Sequence, residues 1–304
     1  MQQQKYCFGI DVGGTTIKMG LFQVDGTLLD KWEIPTNTEN KGESILPDVA
    51  TSIHEKMKEK SIAKEDVVGV GAGVPAPVSK QGNVEKTANL GWGKKEVKKE
   101  LEALLGLHAN VGNDANVAAL GEMWQGGGSG YQDLVMVTLG TGVGGGIIIN
   151  GHILTGSKGG AGEIGHICVN YDETECCGCG KTGCLEQYAS ATGIAKLAKK
   201  YGMKDATAKD VFGAVKAGDE LAIQIAEEFG NYLGHALANV ATVLDPEVFV
   251  IGGGVSKAGE TLLDFVQKPY VEKAFWIHKN VKFALAKLGN DAGIYGAAKL
   301  ALEK

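Results

Sequence analysis

The start of the chain carries the pattern of hydrophobic positions that a β-hairpin requires. Residues 6–12 are mostly apolar and predict a buried strand, and residues 16–24 alternate as a second strand after a short glycine turn. An Asp-Gly pair at 25–26 predicts a tight turn into another strand. The opening is therefore predicted to be a β-hairpin followed by a third strand.

The rest of the chain alternates between helical and strand patterns. Apolar positions at helical spacing predict helices, and short apolar runs bounded by glycine or proline predict strands. The predicted helices are residues 43–60, 94–106, 220–244 and 290–304. The predicted strands include one within 67–78 that runs into a loop with prolines and the start of a strand–turn–helix unit at 247–266. This alternation indicates an α/β fold.

Residues 133–154 repeat the order of elements at the start of the chain. A strand leads into a glycine turn with a threonine, a second β-branched strand follows, and an Asn-Gly pair predicts the next turn. Two hairpins of the same design indicate a duplicated fold in which each half supplies one glycine hairpin.

Composition and charge argue against several classes of function. The 304 residues are 44% hydrophobic and 22% charged, as expected for one large or two medium globular domains. A net charge of −6 provides no basic field for phosphates, so no nucleic acid partner is expected. The polar N-terminus lacks the apolar core of a signal peptide, and no apolar run approaches the roughly 20 residues of a membrane span. We expect a cytoplasmic protein without a membrane partner.

Glycine is over-represented, at 46 of 304 residues, and most of the excess lies in short runs. Such runs indicate close approach of the backbone to a ligand, although tight turns also use them. Gly140, Gly142 and Gly145 form G-x-G-x-x-G, but a strand follows where a dinucleotide site needs a helix. The P-loop pattern G-x-x-x-x-G-K-[ST] does not occur. An NAD-dependent oxidoreductase and a P-loop protein are therefore not expected.

A glycine turn between two strands can still bind phosphate, because its backbone amides point outward around a concave nest. The first turn adds Asp11 at the strand end, two threonine hydroxyls and Lys18. A carboxylate beside phosphate-binding amides is a place where Mg²⁺ would be held. The second turn at 140–146 and a third glycine run at 252–254 favour a nucleotide ligand.

Four of the six cysteines lie within residues 176–184. Cys177, Cys179 and Cys184 have a spacing typical of zinc ligands, and His166 is the only nearby histidine that could complete a tetrahedral site. In a reducing compartment such a cluster is more often a metal site than a disulfide framework. A redox pair and an iron–sulfur cluster fit less well, because no convincing C-x-x-C pair starts a helix and two of the cysteines are adjacent.

Several segments together resemble the ROK family (repressors, open reading frames, kinases), and most closely its bacterial ATP-dependent glucokinases. They are GIDVGGTTIKMGLF, NDANVAALGE, VTLGTGVGGGIIINGHILTGSKGGAGEIGHICV, CGCGKTGCLEQYASATGI and VIGGGVS, in the family's order and over nearly the whole chain. The resemblance implies an α/β, duplicated actin-like and ribonuclease-H-like ATPase fold of two domains with a central cleft. It implies a smaller domain of residues 1–118 with about 290–304 and a larger domain of residues 119–289 that carries the zinc loop.

The resemblance also implies a sugar kinase that transfers the γ-phosphate of ATP to the 6-hydroxyl of glucose, with Mg²⁺, a structural Zn²⁺ and a homodimeric or homotetrameric assembly. Phosphoryl transfer needs a carboxylate that accepts the proton of the attacking hydroxyl. Asn-Asp-Ala occurs at 113–115 and at 290–292, and on the residues alone either aspartate could simply cap a helix. The resemblance makes Asp114 the general base and lets Asn113 hold a sugar hydroxyl.

The other site residues are also implied by the resemblance. The sugar-binding side chains are Asn89, Asn113, Asp114, Glu163, His166 and Glu186. The ATP-binding residues are Asp11, which would organise Mg²⁺ through water, then Gly13, Gly14, Thr15 and Lys18 in the first phosphate turn, Gly140, Thr141 and Gly142 in the second, and Gly252, Gly253, Gly254 and Val255 in the adenosine turn.

The family's zinc site combines a histidine with C-x-C-G-x-x-G-C, which here implies the ligands His166, Cys177, Cys179 and Cys184. The family's loop from the histidine to the first cysteine is commonly one residue shorter, and that register would select Cys176. Cys177 is preferred because it keeps the C-x-C-G-x-x-G-C frame, so Cys176 is expected to be a bystander thiol. The sequence alone does not decide between the two.

Two other functions fit parts of the pattern. The polar site residues are compatible with a kinase for fructose, mannose or an N-acetylated amino sugar. A sugar-responsive repressor of the same family would carry an added N-terminal helix-turn-helix, whereas here the first strand starts near residue 6, the chain is acidic and Asp114 is present. The kinase is therefore favoured over the regulator.

Overall fold

A computed structural model of the chain describes residues 5–303, so residues 1–4 of the polar N-terminus and residue 304 lie outside the description. Two compact units divide the chain: unit 1 is Met1–Gly130, Gly146–Ala161 and Asn290–Lys304, and unit 2 is Tyr131–Gly145 and Gly162–Gly289. The domain limits expected from the sequence, 1–118 with about 290–304 and 119–289, stay a prediction.

Each unit combines strands with helices, and strand β7 passes from unit 2 into unit 1. The elements of unit 1 are β1 (Tyr6–Val12), β2 (Thr16–Gln23), β3 (Leu28–Pro35), α1 (Glu39–Gly42), α2 (Ile45–Glu59), β4 (Val67–Val74), α3 (Val97–Leu105), β5 (Ala109–Asn113), α4 (Asp114–Gln125), β8 (His152–Ile153) and α10 (Ala292–Leu300). Those of unit 2 are β6 (Leu134–Leu139), the start of β7 (Val143–Ile149), α5 (Glu186–Ala189), α6 (Ala191–Tyr201), α7 (Ala208–Lys216), α8 (Glu220–Leu244), β9 (Val248–Gly252), α9 (Glu260–Lys273) and β10 (Lys282–Leu285). Short 3-10 turns lie at Lys64–Asp66, Ile164–His166, Val255–Ala258, Trp276–His278 and Gly289–Asp291.

The two sheets have the same strand plan. Their strand orders are β3-β2-β1-β4-β5 and β10-β9-β6-β7-β8. In the first sheet β1 pairs antiparallel with β2 and parallel with β4, which pairs parallel with β5. In the second, β9 pairs parallel with both β6 and β10. Adding five to each strand number of the first sheet gives the order of the second sheet when that order is read in reverse. The expected duplicated α/β fold of the actin-like type is thus confirmed.

The central strands β1 and β4 of the first sheet are buried on both faces, as their nearly continuous apolar sequences indicate. Side chains of β1 alternate between the faces. Phe8 and Ile10 belong to the main core, which also contains buried residues of α2 and α3. Cys7 lies on the other face, where it packs with Ile294 and Ala298 of α10. By the same alternation, the side chains of β1 at its carboxyl end reach either the α2 face or the α10 face.

Helix α10 lies close to its neighbours because glycines face it. A Cβ atom at Gly9 of β1, Gly71 of β4 or Gly121 of α4 would collide with a backbone carbonyl oxygen of α10. A Cβ atom at Gly296 of α10 would collide with the carbonyl oxygen of Val117 in α4. Backbone atoms of a packed helix cannot swing aside as the end of a long side chain can, so these positions admit only glycine.

Gly71→Ala is expected to destabilise unit 1 by about 1–3 kcal/mol, because the added methyl group overlaps the carbonyl of Ala297 and forces α10 to shift. Gly213→Ala in α7 is the matched control, since a Cβ atom there meets nothing within 4 Å and alanine is favoured over glycine in a helix by about 1 kcal/mol. Chemical denaturation of both variants measures the difference. Equal stability of the two would contradict the close packing of α10.

Unit 2 is built around the 25-residue helix α8. This helix packs against α6, α7 and α9, and its N-terminus is capped by Asp219, which accepts a hydrogen bond from the backbone N–H of Ala222 at 2.8 Å. Strand β9 is buried at every position, as expected for a central parallel strand. Within residues 5–303, every helix falls short of the combined length and apolar character that a bilayer span demands.

Candidate active site and metal cluster

The candidate catalytic residues of unit 1 lie where parallel strands end. Strands β1, β4 and β5 run parallel, with Asp11 paired to Gly73 and Val74 paired to Asn113. These positions are the carboxyl ends of the strands, where open α/β sheets bind their ligands. Asp11, Asn113 and the following Asp114 therefore occupy one edge of the sheet.

Asp114 is the first residue of α4, and local hydrogen bonds hold its carboxylate. Its Oδ1 accepts from the Nδ2 of Asn113 at 2.9 Å and from the backbone N–H of Ala115 at 2.8 Å. The helix N-terminus also favours a negative charge at this position. A half-buried carboxylate in a fixed orientation is what a general base requires.

Asn113 caps helix α4. Its Oδ1 accepts from the backbone N–H groups of Ala115 and Asn116 at 3.0 and 3.2 Å, and its Nδ2 also donates to the carbonyl oxygen of Ala76 at 3.3 Å. The cap position thus belongs to the asparagine of the triplet, so the alternative in which Asp114 is only a helix cap is wrong.

The second Asn-Asp-Ala triplet has a different environment. Asp291 precedes α10 at the position where a cap was expected, but its side chain makes no capping hydrogen bond. Its carboxylate pairs with the Nζ of Lys31 at 2.7 Å, and that lysine side chain is 57% exposed. An exposed pair of this kind contributes at most about 1 kcal/mol.

Asp11 lies in an environment that favours a bound cation. Burial raises the pKa of Asp11, Lys18 opposes this shift, and the charge of Asp114 raises the pKa further. Lys18 also donates from Nζ to the carbonyl oxygen of Asn290 at 3.1 Å. A Cβ atom at Gly293, in the first turn of α10, would lie 2.6 Å from Asp11 Oδ2, so this glycine leaves room for the carboxylate. A divalent cation would relieve the repulsion between the carboxylates of Asp11 and Asp114. These oxygen ligands are of the kind that Mg²⁺ prefers, so the Asp11 carboxylate fits Mg²⁺.

The first glycine turn adjoins a predicted sugar-binding residue. Gly13 donates from its backbone N–H to the carbonyl oxygen of Thr16 at 3.1 Å, which closes the turn between β1 and β2. Thr15 at the tip is exposed. A Cβ atom at Gly14 would lie 2.9 Å from the Nδ2 of Asn89, so this glycine admits the asparagine side chain.

The second glycine turn is tied to the start of α6. Gly140 donates from its backbone N–H to the carbonyl oxygen of Gly142 at 3.0 Å, and its own carbonyl oxygen accepts from the N–H of Ala191 at 2.8 Å. The hydroxyl of Thr192 donates to the carbonyl oxygen of Thr141 at 2.9 Å. The turn and the N-terminus of α6 are thus held together at two points.

The third glycine turn lies beside the end of β6. Gly253 has a φ of +83°, and a Cβ atom there would lie 2.5 Å from the carbonyl oxygen of Leu139. Gly252 ends β9, and Val255 is buried, whereas the position of Gly254 is open. A left-handed backbone packed against another backbone requires glycine at position 253.

The predicted sugar-binding side chains of unit 2 lie around His166. Its Nδ1 lies 3.7 Å from the Oε1 of Glu186, and its Nε2 lies 3.9 Å from the Oε2 of Glu163. Glu163 is exposed, whereas His166 and Glu186 are half-buried. Two carboxylates and an imidazole offer the donors and acceptors with which hydroxyl groups can be distinguished.

The side chains of His166, Cys177, Cys179 and Cys184 each bring one ligand atom to within 4.8 Å of the others. The Sγ of Cys177 lies 3.9 Å from the Nδ1 of His166, and the Sγ of Cys179 lies 3.6 Å from that of Cys184. A tetrahedral zinc ion holds such ligand atoms about 3.5–3.8 Å apart, given its usual bond lengths. The donor set and the distances therefore fit a four-coordinate structural zinc ion.

The geometry favours Cys177 over Cys176 as a ligand. Cys176 is exposed and is not part of the cluster found among the described residues, whereas Cys177 is buried within it. The backbone N–H of Cys177 donates to the carbonyl oxygen of Lys181 at 2.7 Å, and the Nζ of Lys181 donates to the carbonyl oxygen of His166 at 2.9 Å. The loop therefore holds its ligand positions through its own hydrogen bonds.

Protons compete with a cation in this cluster. Burial raises the pKa of Cys177 to about 12 and also raises the pKa of Cys184. A hydrogen bond from the backbone of Lys181 lowers the pKa of the Cys179 thiol. Because zinc binds thiolates, its binding would release protons and would weaken as the pH falls.

Two supporting features were missed by sequence reasoning. Tyr188 of α5 donates from its hydroxyl to Glu173 and accepts from the Nδ2 of Asn170 at 3.0 Å. These bonds connect α5 to the segment 170–173, which precedes the clustered cysteines. The Tyr188 ring also stacks on Tyr232 of α8, with centroids 4.2 Å apart. Gly293 beside Asp11 is the second feature. No motif marks these positions, because each depends on a partner that only the fold brings near.

Comparison with known proteins identifies the family of the chain. A family model described as the ROK family matches residues 7–304. A glucokinase of Halalkalibacterium halodurans is 44% identical to the chain, over 97% of this chain and 94% of that protein. A ROK family glucokinase from Streptomyces griseus, solved in complex with glucose and AMPPNP, is 33% identical with a TM-score of 0.72, covering 97% of this chain and 98% of that one. A ROK hexokinase from Thermus thermophilus is 30% identical with a TM-score of 0.81, covering 97% of each chain. The resemblance expected from the sequence is confirmed, and the chain belongs to the ROK family.

Proposed function

We propose that the protein is an ATP-dependent glucokinase, which transfers the γ-phosphate of ATP to the 6-hydroxyl of glucose. The observation that carries the proposal is the Asp114 carboxylate, held by Asn113 and Ala115 at the carboxyl end of β5 and close enough to Asp11 to influence its pKa. The 44% identity to a protein named glucokinase supports glucose as the sugar.

Asp114 acts as the general base. It accepts the proton of the 6-hydroxyl while the hydroxyl oxygen forms a bond to the γ-phosphorus and the bond from that phosphorus to ADP breaks. The carboxylate is already oriented by two hydrogen bonds, so it can also align the hydroxyl for in-line attack. Asn113 fixes this orientation and binds a sugar hydroxyl.

Backbone amides of the glycine turns bind the nucleotide. The first turn (Gly13, Gly14, Thr15) with Lys18 and the second turn (140–142) hold phosphates, and the third turn (252–255) holds adenosine. Asp11 would hold Mg²⁺ through water, and this ion would neutralise negative charge on the phosphates of ATP.

Asn89, Glu163, His166 and Glu186 bind the sugar hydroxyls. In the same proposal a structural zinc ion is held by His166, Cys177, Cys179 and Cys184. The Nδ1 of His166 faces Cys177 and would be the ligand atom, so the Nε2 would stay available for the sugar, with the tautomer of the ring fixed. The cysteines then shape the sugar site without touching the reacting atoms.

Asp11→Asn is expected to lower kcat/KM for MgATP by about 10–100-fold, as for other residues that hold a metal through water. Burial raises the pKa of Asp11, so the wild-type kcat/KM should fall on acidification at a higher pH than an ordinary aspartate would cause.

The raised pKa of Asp11 also affects stability. With a raised carboxyl pKa, Asp11 contributes stability only while it is protonated, and this contribution is lost as the pH rises through the folded pKa. The variant should therefore keep or gain thermal stability at neutral pH. Unchanged MgATP kinetics would contradict the role of Asp11.

A coupled ADP-release assay over a panel of hexoses tests the substrate. Glucose is expected to give the highest kcat/KM, ahead of fructose, mannose and N-acetylglucosamine, and the product should be the 6-phosphate. Higher kcat/KM for one of the other sugars would replace glucose in the proposal, and no ADP release with any hexose would refute the kinase itself.

The proposal includes a cytoplasmic homodimer or homotetramer, which follows from the family alone. Light scattering of the purified protein measures its mass, and a monomer at micromolar concentration would contradict this part.

A further inference from the structure

We infer that Gly142 is a positioning residue for the sugar side of the site, because the space left by its missing side chain holds the carboxylate of Glu186. The inference rests on the proposed function, in which Glu186 binds a sugar hydroxyl. The glycine run alone suggested another role for Gly142, which was to let a phosphate approach the backbone.

Glu186 is what requires glycine at position 142. A Cβ atom there would lie 2.5 Å from the Oε2 of Glu186, and the only other atom within 4 Å, outside the neighbouring residues, is the Cδ of the same side chain. Gly142 is not among the glycines with positive φ, so its backbone conformation suits any residue. Gly140 in the same turn differs, since a Cβ atom there would meet nothing within 4 Å.

The other carboxylate oxygen of Glu186 faces the cysteine cluster. Its Oε1 lies 2.8 Å from the Sγ of Cys177 and 3.7 Å from the Nδ1 of His166. The side chain is 24% exposed. The carboxylate is therefore confined between the glycine on one side and the cluster on the other.

The turn itself cannot withdraw to make room for a side chain at position 142. It is bonded to the start of α6 through Gly140 and Thr141, as described above. A Cβ atom at Gly145 would lie 2.5 Å from the carbonyl oxygen of Gly162, and one at Gly165 would collide with the carbonyl oxygen of Val143. Because these contacts are between backbones, a methyl group on residue 142 displaces the flexible end of Glu186 and leaves the fold intact.

The test compares Gly142→Ala with the wild type and with Gly213→Ala, a glycine outside the proposed site where an added Cβ atom meets nothing within 4 Å. Isothermal titration measures the glucose dissociation constant, and steady-state assays measure the KM for glucose and for ATP. Gly142→Ala is expected to raise the glucose dissociation constant and KM by about 10–100-fold, the range for a lost hydrogen bond to a charged group, with the KM for ATP and the Tm nearly unchanged. Gly213→Ala is expected to leave the glucose dissociation constant unchanged. A raised KM for ATP with unchanged glucose binding in Gly142→Ala would overturn the inference.

A double-mutant cycle with Glu186→Ala shows whether the effect passes through this side chain. In the Glu186→Ala background, Gly142→Ala should add no further loss of glucose kcat/KM, and additive losses would overturn the inference. Should Gly142→Ala alone fail to fold, the double variant decides: recovery of folding supports the contact, and failure overturns it. Wild-type protein that neither binds nor phosphorylates glucose would refute the proposed function. Normal wild-type activity together with an unaffected Gly142→Ala variant would refute only the inference about Gly142.

Discussion

Replacing Asp114 with asparagine is expected to lower kcat for glucose phosphorylation by about 10²–10⁴-fold, the usual contribution of a general base. Asparagine has the same shape, and its Oδ1 can still accept the hydrogen bonds from Asn113 and Ala115. Glucose binding and the Tm should therefore stay close to wild type. Steady-state kinetics and calorimetric glucose binding measure the two effects separately.

The matched control is Asp291→Asn in the second Asn-Asp-Ala triplet. Asp291 makes a surface ion pair with Lys31, so its loss should change stability by at most about 1 kcal/mol and leave kcat unaffected. Normal turnover by Asp114→Asn would rule out Asp114 as the base, and a large loss of kcat in Asp291→Asn would show that the wrong triplet was chosen.

The second large effect is expected from the cysteine cluster. Elemental analysis of freshly purified wild type should find about one zinc per chain. Cys177→Ser should lose that zinc, because a serine hydroxyl is a poor zinc ligand, and should lose more than about 2 kcal/mol of stability, or roughly 4–8 °C in Tm. Glucose affinity should fall as well, since the proposed function makes His166 both a zinc ligand and a sugar-binding residue.

Cys176→Ser is the control for this experiment, since it changes the neighbouring thiol that lies outside the cluster. It should keep the zinc and change stability by no more than about 0.5 kcal/mol. The opposite pattern, with zinc lost only in Cys176→Ser, would select the other register. Metal-free wild type prepared without chelators would refute the zinc site.

Regular patterns predicted much of the fold. The first hairpin was expected at 6–12 and 16–24 and is found at Tyr6–Val12 and Thr16–Gln23. Helix α3 ends at Leu105, where Gly106 adopts a φ of +60°, as the glycine stop signal predicted. Within 67–78 a strand was expected to run into a loop with prolines, and β4 ends at Val74, because prolines at 75 and 77 cannot donate to a strand ladder. The short strand β10 was not predicted, since its residues lack both alternation and length.

Side chains that come together within one loop could be predicted from the sequence. The grouping of Cys177, Cys179 and Cys184 was predictable because candidate ligands from a single loop keep a regular spacing in the chain. The contact between Gly142 and Glu186 could not be predicted, because it joins two segments that are distant in the sequence. The sequence shows a glycine at position 142 but does not show which neighbouring residue requires it. Asn113 as the cap of α4 was also missed, since Asn and Asp are equally good caps and only the backbone geometry distinguishes them.

The position of α10 also has a consequence for synthesis on the ribosome. The first sheet is translated early, but the helix that covers its Gly9 and Gly71 face follows only after all of unit 2. At about 5–20 residues per second, that delay lasts roughly ten to thirty seconds. The nascent sheet must therefore emerge with the face that α10 later covers still exposed. During this time the exposed face can aggregate or bind chaperones. Asp11 gains its Gly293 neighbour only at the end of this period, so the surroundings of this carboxylate are completed only after unit 2 has been made.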